Sequence, residues 1–304
     1  MRKLGKNVEQ GWRSEFQRLE GAYAPSTMRS YRTDVEAFET WSLENGLAVP
    51  FPASVETVCR FLEDQGKTKA PSTVRRRLYA IRKVHRLLDL PDPTNAEDIN
   101  LAFRRVRRAK PVRPKQARGM TADDLKRFLE VQPDSPWGLR NMAMLSLGYE
   151  LMTRRSELVA LRDEDVEYRA DGTLRVLIRR SKADQEGWGR FGFSSIASAD
   201  RLRAWQQWKG DTTEWLFCPI YQEHPIDRSL SDTTVKALIK SAAQKAGFAH
   251  DEVRSFSGHS MRVGAAQELL RRGFDTAAIM RAGGWKSVNV LARYLEHAEH
   301  NVWV

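Results

Sequence analysis

Near the C-terminal end of this 304-residue chain, GlyHisSerMetArg at 258–262 is followed by GlyGlyTrp at 283–285 and then by Tyr294. An imidazole, a guanidinium, an indole N–H and a phenol make a set able to attack a phosphodiester and hold the charge of its transition state. His259 and Arg262 stand three residues apart, so a helix beginning near Ser260 presents both from its first turn, where unpaired backbone N–H groups also favour an anion. A second set lies upstream, in ThrArgArgSerGluLeuValAlaLeu at 153–161. Ser156 reads as the cap of a short helix, which leaves Arg154 just ahead of the helix and Glu157 in its first turn. An arginine at that positive end is out of place unless an anion joins it; a surface pair with Glu157 is the plainer reading. Lys182, the only lysine between Lys126 and Lys209, falls between two strand-like runs, where a solvated turn residue is the commonest role.

Helices and strands must position these groups. Met28, Tyr31, Val35, Phe38 and Trp41 recur at three- and four-residue steps after a Ser26 or Thr27 cap and before Gly46, the pattern of a helix with one buried stripe. Val55, Val58, Phe61 and Leu62 predict a second helix capped by Ser54. A third runs from Ser72 to Leu88 with Val74, Leu78, Ile81 and Leu88 inward, and a fourth from about Ala96 to Arg108 buries Ile99, Leu101 or Ala102, Phe103 and Val106. Thr121 with Asp124 resembles a capping box, and helices are expected over about 121–131 and 137–151. ThrLeuArgValLeuIleArgArg at 173–180 alternates as a strand, with 187–193 as its returning partner.

The net charge of +11 points to a polyanionic partner, and its location is telling: residues 1–118 hold 24 Lys and Arg against 14 Asp and Glu. Arg75, Arg76, Arg77, Arg82, Lys83 and Arg86 stand available on the outer side of the third helix, with Asp89 the one acid near them. Arg104, Arg105, Arg107 and Arg108 follow on the fourth. A solvated face is the plain reading of such a run. Two runs so close together favour phosphate contact, which positions a duplex without reading its sequence. AlaLysProValArgProLysGlnAlaArgGly at 109–119 has two prolines and little with which to build a core, so it reads as an extended basic linker. Cys59 and Cys218 lack metal-ligand spacing, no carboxylate cluster has two-metal spacing, and no phosphate-binding glycine loop appears; no metal and no cofactor are expected. The N-terminus has no signal-peptide core and no apolar run reaches about 18 residues, so a soluble cytoplasmic protein is expected.

Taken in order, Arg154 in an Arg-x-Ser-Glu-Leu motif, Lys182 on a hairpin, His259-x-x-Arg262, Trp285 and Tyr294 resemble the signature of the tyrosine recombinase, or phage integrase, family, and GlyHisSerMetArgValGlyAlaAla with AlaGlyGlyTrp resembles its Cre-like members most. The resemblance covers nearly the whole chain. It implies a mainly α fold with a small β-sheet: a helical, SAM-like core-binding bundle over 1–108, the linker at 109–119 and an α+β catalytic domain over 120–304. It also implies roles. Tyr294 attacks the scissile phosphate to give a 3′-phosphotyrosine; Arg154 and Arg262 clamp the non-bridging oxygens; His259 and Trp285 add donors; Lys182 protonates the leaving 5′-oxygen; Glu157 orients Arg154. It further implies double-stranded DNA as partner, a homotetramer on two short inverted-repeat sites that is monomeric in free solution, and a prokaryotic, phage or plasmid origin. Met152 and Thr153 stand where relatives often have Gly-Leu, and Arg155 beside Arg154 leaves open which guanidinium enters the site. Direct base reading is expected from the third helix and from helices around 232–246 and 254–258. The apolar tail at 302–304 is expected to serve as a plug, for a neighbouring protomer or for its own domain. A type IB topoisomerase shares much of this chemistry, and an idle DNA-binding descendant would keep the basic half; the compact first domain and the complete residue set argue against both.

Overall fold

The computed structural model describes residues 11–110, 116–179, 189–296 and 298, which fall into two compact units, one ending at Pro114 and the other beginning at Lys115. In the first unit the short α1 (Gly11–Glu15) precedes α2 (Pro25–Glu44), α3 (Val55–Thr68), α4 (Pro71–Leu87) and α5 (Glu97–Ala109). Their apolar stripes meet as the spacing predicts: Val35, Phe38, Val58, Phe61, Leu62, Val74, Ile81 and Ile99 are wholly buried. Phe61 packs edge-on against Phe38 and Trp41, with centroids 5.0 and 5.3 Å apart. Ser54 accepts from the Thr57 N–H as the expected cap of α3. Two local expectations shift. The α2 helix opens on Pro25 instead of at a Ser26 or Thr27 cap, because the fixed φ of proline suits the first helical position; and of the pair left open in α5, Ala102 is buried while Leu101 is exposed.

The second unit carries α6 (Ala122–Glu130), α7 (Pro136–Glu150), α8 (Arg155–Leu158), α9 (Ile196–Lys209), α10 (Asp232–Lys245), α11 (His250–Ser255), α12 (Ser260–Arg271), α13 (Thr276–Gly283) and α14 (Val288–Leu295). The Thr121 capping box forms with both of its hydrogen bonds, each at 3.0 Å. A three-stranded antiparallel sheet orders β1 (Val166–Tyr168), β2 (Leu174–Ile178) and β3 (Arg190–Ser194), with Ile178 paired to Arg190. The strands are shorter than their sequence runs, and β1, the small β4–β5 pair (Ile220–Tyr221, His224–Pro225) and α9 add to the expected set. The helix expected at 254–258 is instead the end of α11 followed by a turn into α12. Most of α12 through Ala266 is buried, so this helix runs through the core with α7 on one side and α14 on another. No described helix is long and apolar enough to cross a membrane.

Candidate active site

At the start of α8, Arg154 occupies the cap position, and it is Glu157 rather than Ser156 that closes the turn. The Glu157 carboxylate, buried, accepts from the Arg154 backbone N–H at 2.9 Å and from its guanidinium at 2.5 Å. A carboxylate reaches further than a serine hydroxyl, so one side chain both caps the helix and aims the arginine. Arg155 lies 3.7 Å from Asp232 on α10 and packs over Gly258, beside His259. Of the two guanidinium groups, it is that of Arg154 which Glu157 holds.

Arg262, in the first turn of α12, is fully buried. Its Nη1 donates to the Met152 carbonyl, while Nε and Nη2 find no partner among the described residues. Its guanidinium carbon lies 4.1 Å from the Trp285 ring centroid and 5.7 Å from that of Tyr294, and the two rings meet edge-on at 5.1 Å. The Trp285 indole N–H is buried and unpartnered as well. Burial and the Arg154 charge hold the Arg262 pKa below its ordinary value, with Tyr294 and Glu157 opposing. Three buried donor atoms without acceptors among the described residues form an arrangement that an oxyanion would complete.

His259 occupies the cap position of α12 beside them, exposed to solvent and making no capping hydrogen bond with its side chain. Desolvation, and then the charges of Arg155, Arg262 and Arg154, lower its pKa from the usual histidine value, which favours the neutral imidazole. Tyr294 lies near the end of α14, half-buried. Its carbonyl accepts from the side-chain amides of Gln267 on α12 at 3.1 Å and Gln116 at 3.2 Å. A helix leaves its last carbonyls unpaired, and these two amides anchor the one belonging to the tyrosine. Residues 116–119, read from sequence as the linker's end, are tied into this unit together with Met120: the Arg118 N–H donates to Ser255, the Met120 N–H to Ser260, and the Arg118 side chain to Glu252 at 2.6 Å.

The loop holding Trp285 depends on two glycines. The indole lies so close over Gly283 that a β-carbon there would be 1.8 Å from it, and Gly284 adopts φ +69°. Arg190, at the start of β3, belongs to no motif that the sequence marks. Desolvation holds its pKa down to about 10, opposed by Glu157 and reinforced by the Arg262 and Arg154 charges, so a third guanidinium borders the cluster. The structure thus brings together Arg154, Glu157, His259, Arg262, Trp285 and Tyr294. Lys182 belongs to the β2–β3 connection and lies outside the described residues, as does the 302–304 tail.

The basic residues of the first unit divide. Asp34, buried, accepts from Arg76 Nε at 2.6 Å and Nη2 at 3.0 Å and has Arg77 at 3.7 Å. Arg77 turns inward to Gln65; Arg82 donates to Thr94, Lys83 to Tyr23, Arg86 to Asp92 and Arg105 to Glu63. The acids missing from the linear neighbourhood come from α2, α3 and the α4–α5 connection, so the outward row expected on α4 is in part an internal one. Arg75, which stacks on Tyr79, and Arg104, Arg107 and Arg108 are exposed and pair with no carboxylate among the described residues.

Comparison with known proteins agrees with this architecture. A Phage integrase, N-terminal SAM-like domain matches residues 15–89. An integrase/recombinase XerD homolog of Selenomonas ruminantium is 30% identical over 293 residues, 92% of this chain and 84% of that protein. Recombinase cre of Escherichia phage P1 is 27% identical over 266 residues, 82% of this chain and 78% of the phage protein. Among solved structures, XerH site-specific recombinase bound to palindromic difH substrate superposes with a TM-score of 0.64 at 15% identity, over 90% of this chain and 76% of that one. A lambda integrase dimer bound to a COC′ core site gives 0.61 at 16% identity, over 95% and 96%; both likenesses speak to the fold. With the Phage integrase family matched across residues 118–301, the chain belongs to that family, the tyrosine recombinases.

Proposed function

We propose that the chain cuts and rejoins double-stranded DNA at a specific site through a 3′-phosphotyrosine intermediate, four protomers acting on two short inverted-repeat sites. The observation that carries the chemistry is the buried Arg262 guanidinium, with two nitrogens unpartnered among the described residues, set beside the Trp285 N–H, likewise unpartnered among them, and the Tyr294 ring. In this reading Arg154 and Arg262 hold the non-bridging oxygens, each a planar fork matched to phosphate. The Tyr294 oxygen attacks phosphorus as its proton passes to neutral His259. The bond to the 5′-oxygen breaks, and Lys182 supplies that oxygen with a proton. The phosphotyrosine conserves the energy of the broken bond, so religation draws on no nucleotide. Arg75, Arg104, Arg107 and Arg108 contact phosphates along the duplex. Arg76, Arg77, Arg82, Lys83, Arg86 and Arg105 first shape the bundle and present charge from it. The relatives named for recombination support this reading, as does the DNA in the solved complexes.

The test is a nicked suicide duplex taken from the genomic flanks of the coding sequence, incubated without Mg²⁺ or ATP. A covalent protein–DNA band in wild type that is lost in Tyr294→Phe is expected. A band that persists in Tyr294→Phe rejects the nucleophile, and tight, salt-sensitive binding with no band on a duplex containing the true site rejects catalysis in favour of an idle DNA-binding protein.

A further inference from the structure

Arg190 has no part in the bond-breaking steps above, yet it touches both sides of the site. From the start of β3 its Nη1 donates to the Ala282 carbonyl at 2.7 Å and its Nη2 to the Leu151 carbonyl at 2.6 Å, with the Met152 carbonyl at 3.4 Å. Leu151 and Met152 lead directly into Arg154, and Ala282 leads into Trp285. The Met152 carbonyl is also the one that Arg262 uses. Gly284 lets the Arg190 stem pass: a β-carbon there would stand 2.6 Å from its Cδ. One planar group therefore joins two segments far apart in sequence, each ending in a donor of the phosphate site. A lysine ammonium, a point donor, cannot span both carbonyl sets in this way.

Building on the recombinase reading of the site, we propose that Arg190 is a positioning residue: its fork fastens the backbone before Arg154 to the backbone before Trp285 and so sets the spacing of the donors that hold the scissile phosphate. A displacement of about 1 Å in such a donor can cost roughly a hundredfold in rate. The test compares Arg190→Ala and Arg190→Lys with wild type in single-turnover cleavage, on the duplex that wild type cuts and on the same duplex with a methyl in place of one non-bridging oxygen of the scissile phosphate. That substitution makes the phosphate neutral and leaves the clamp less charge to hold. Cleavage of the ordinary duplex is expected to fall about a hundredfold in Arg190→Ala and by less in Arg190→Lys, with affinity for the uncleaved duplex unchanged. On the neutral duplex both deficits should shrink markedly. Equal deficits on the two substrates would mark a merely structural contact and overturn the proposal, as would wild-type cleavage by both variants. Arg190→Lys keeps the charge and most of the stem, so it carries the test where Arg190→Ala fails to fold. Tyr294→Phe run alongside keeps the two readings apart: an adduct in that variant breaks the site assignment and the role of Arg190 with it, whereas equal deficits without such an adduct break only the latter.

Discussion

Arg76 in the first unit meets Asp34 through two nitrogens, at 2.6 and 3.0 Å, while Arg262 in the second unit is fully buried and meets no carboxylate among the described residues. The first is what a fold does with an arginine for its own sake. The second keeps a buried charge with no carboxylate in contact among the described residues and only the more distant Glu157 opposing it, an arrangement that costs stability in the free protein and is completed when an anion enters. The difference separates arginines that build from arginines that wait. Replacement by methionine, which keeps the apolar stem, should pull them apart in opposite directions. Arg262→Met is expected to slow cleavage by about a hundred- to a thousandfold, with a melting temperature equal to or above that of wild type. Arg76→Met is expected to cleave saturating duplex at the wild-type rate but to lose about 1–3 kcal/mol of stability, because Asp34 is left with only the more distant Arg77. Thermal melts and single-turnover rates on the same four preparations, two variants each with its wild-type control, decide it; a large loss of stability in Arg262→Met would break the contrast.

The two units also hold histidines differently. Ala53 donates its N–H to His85 Nε2 at 3.0 Å, so the proton of His85 sits on Nδ1 and points at the Ile81 carbonyl 2.9 Å away. His85 is completely buried, and desolvation lowers its pKa. His259 is lowered too, but it faces three arginines and keeps access to solvent. For His85 the unfolded chain takes up the proton first as pH falls. Its contribution to stability is therefore complete above the unfolded value, near 6.5, and is lost as pH drops toward the lower folded value. For His259 the consequence is kinetic: cleavage should persist through the ordinary histidine range and fall only through a midpoint below it. A pH profile of cleavage at subsaturating duplex, which reads the groups of the free protein, set beside melts over the same range, tests both. An acidic limb centred at or above about 6.5 would reject neutral His259 as the proton acceptor.

Much of this cluster was legible because its residue types stand at the offsets of the family signature: Arg154 with Glu157, His259 with Arg262, and Trp285 nine residues before Tyr294. The bundle was legible because its stripes are clean. What escaped depends on contacts between distant segments. The acids that hold Arg76, Arg86 and Arg105 come from other elements, so a count along α4 and α5 overstated the free charge. Arg190 escaped for a related reason. Alternation along β3 alone would turn Phe191 and Phe193 inward, yet both are exposed, Phe191 under the Arg175 guanidinium at 3.6 Å, while Arg190, Gly192 and Ser194 face the protein. A strand's faces are set by what lies beneath it, and here that is a row of carbonyls and the close approach of Leu151. The anchoring of Tyr294 by Gln116 and Gln267 is equally invisible in one dimension, since nothing about a glutamine's type marks the carbonyl it meets.

The smallest effect expected sharpens the same contrast within the first unit. Arg107 on α5 is exposed and pairs with no carboxylate among the described residues, whereas Arg105, two positions away on that helix, donates to Glu63 at 2.6 Å. If arginines free of carboxylates are those that reach phosphate, Arg107→Ala removes one counterion-releasing contact. The slope of log affinity against log salt then becomes shallower by about 0.9, with the affinity loss similar on every duplex. Arg105→Ala gives a smaller change in slope, because its charge is already balanced by Glu63 before DNA arrives; an exposed pair of this kind contributes at most about 1 kcal/mol to stability, so both variants should fold normally. Titrations of each variant at several salt concentrations read the two slopes directly. Equal slopes would mean that ion pairing within the bundle does not decide which arginines meet the duplex, and that Glu63 releases Arg105 when DNA binds.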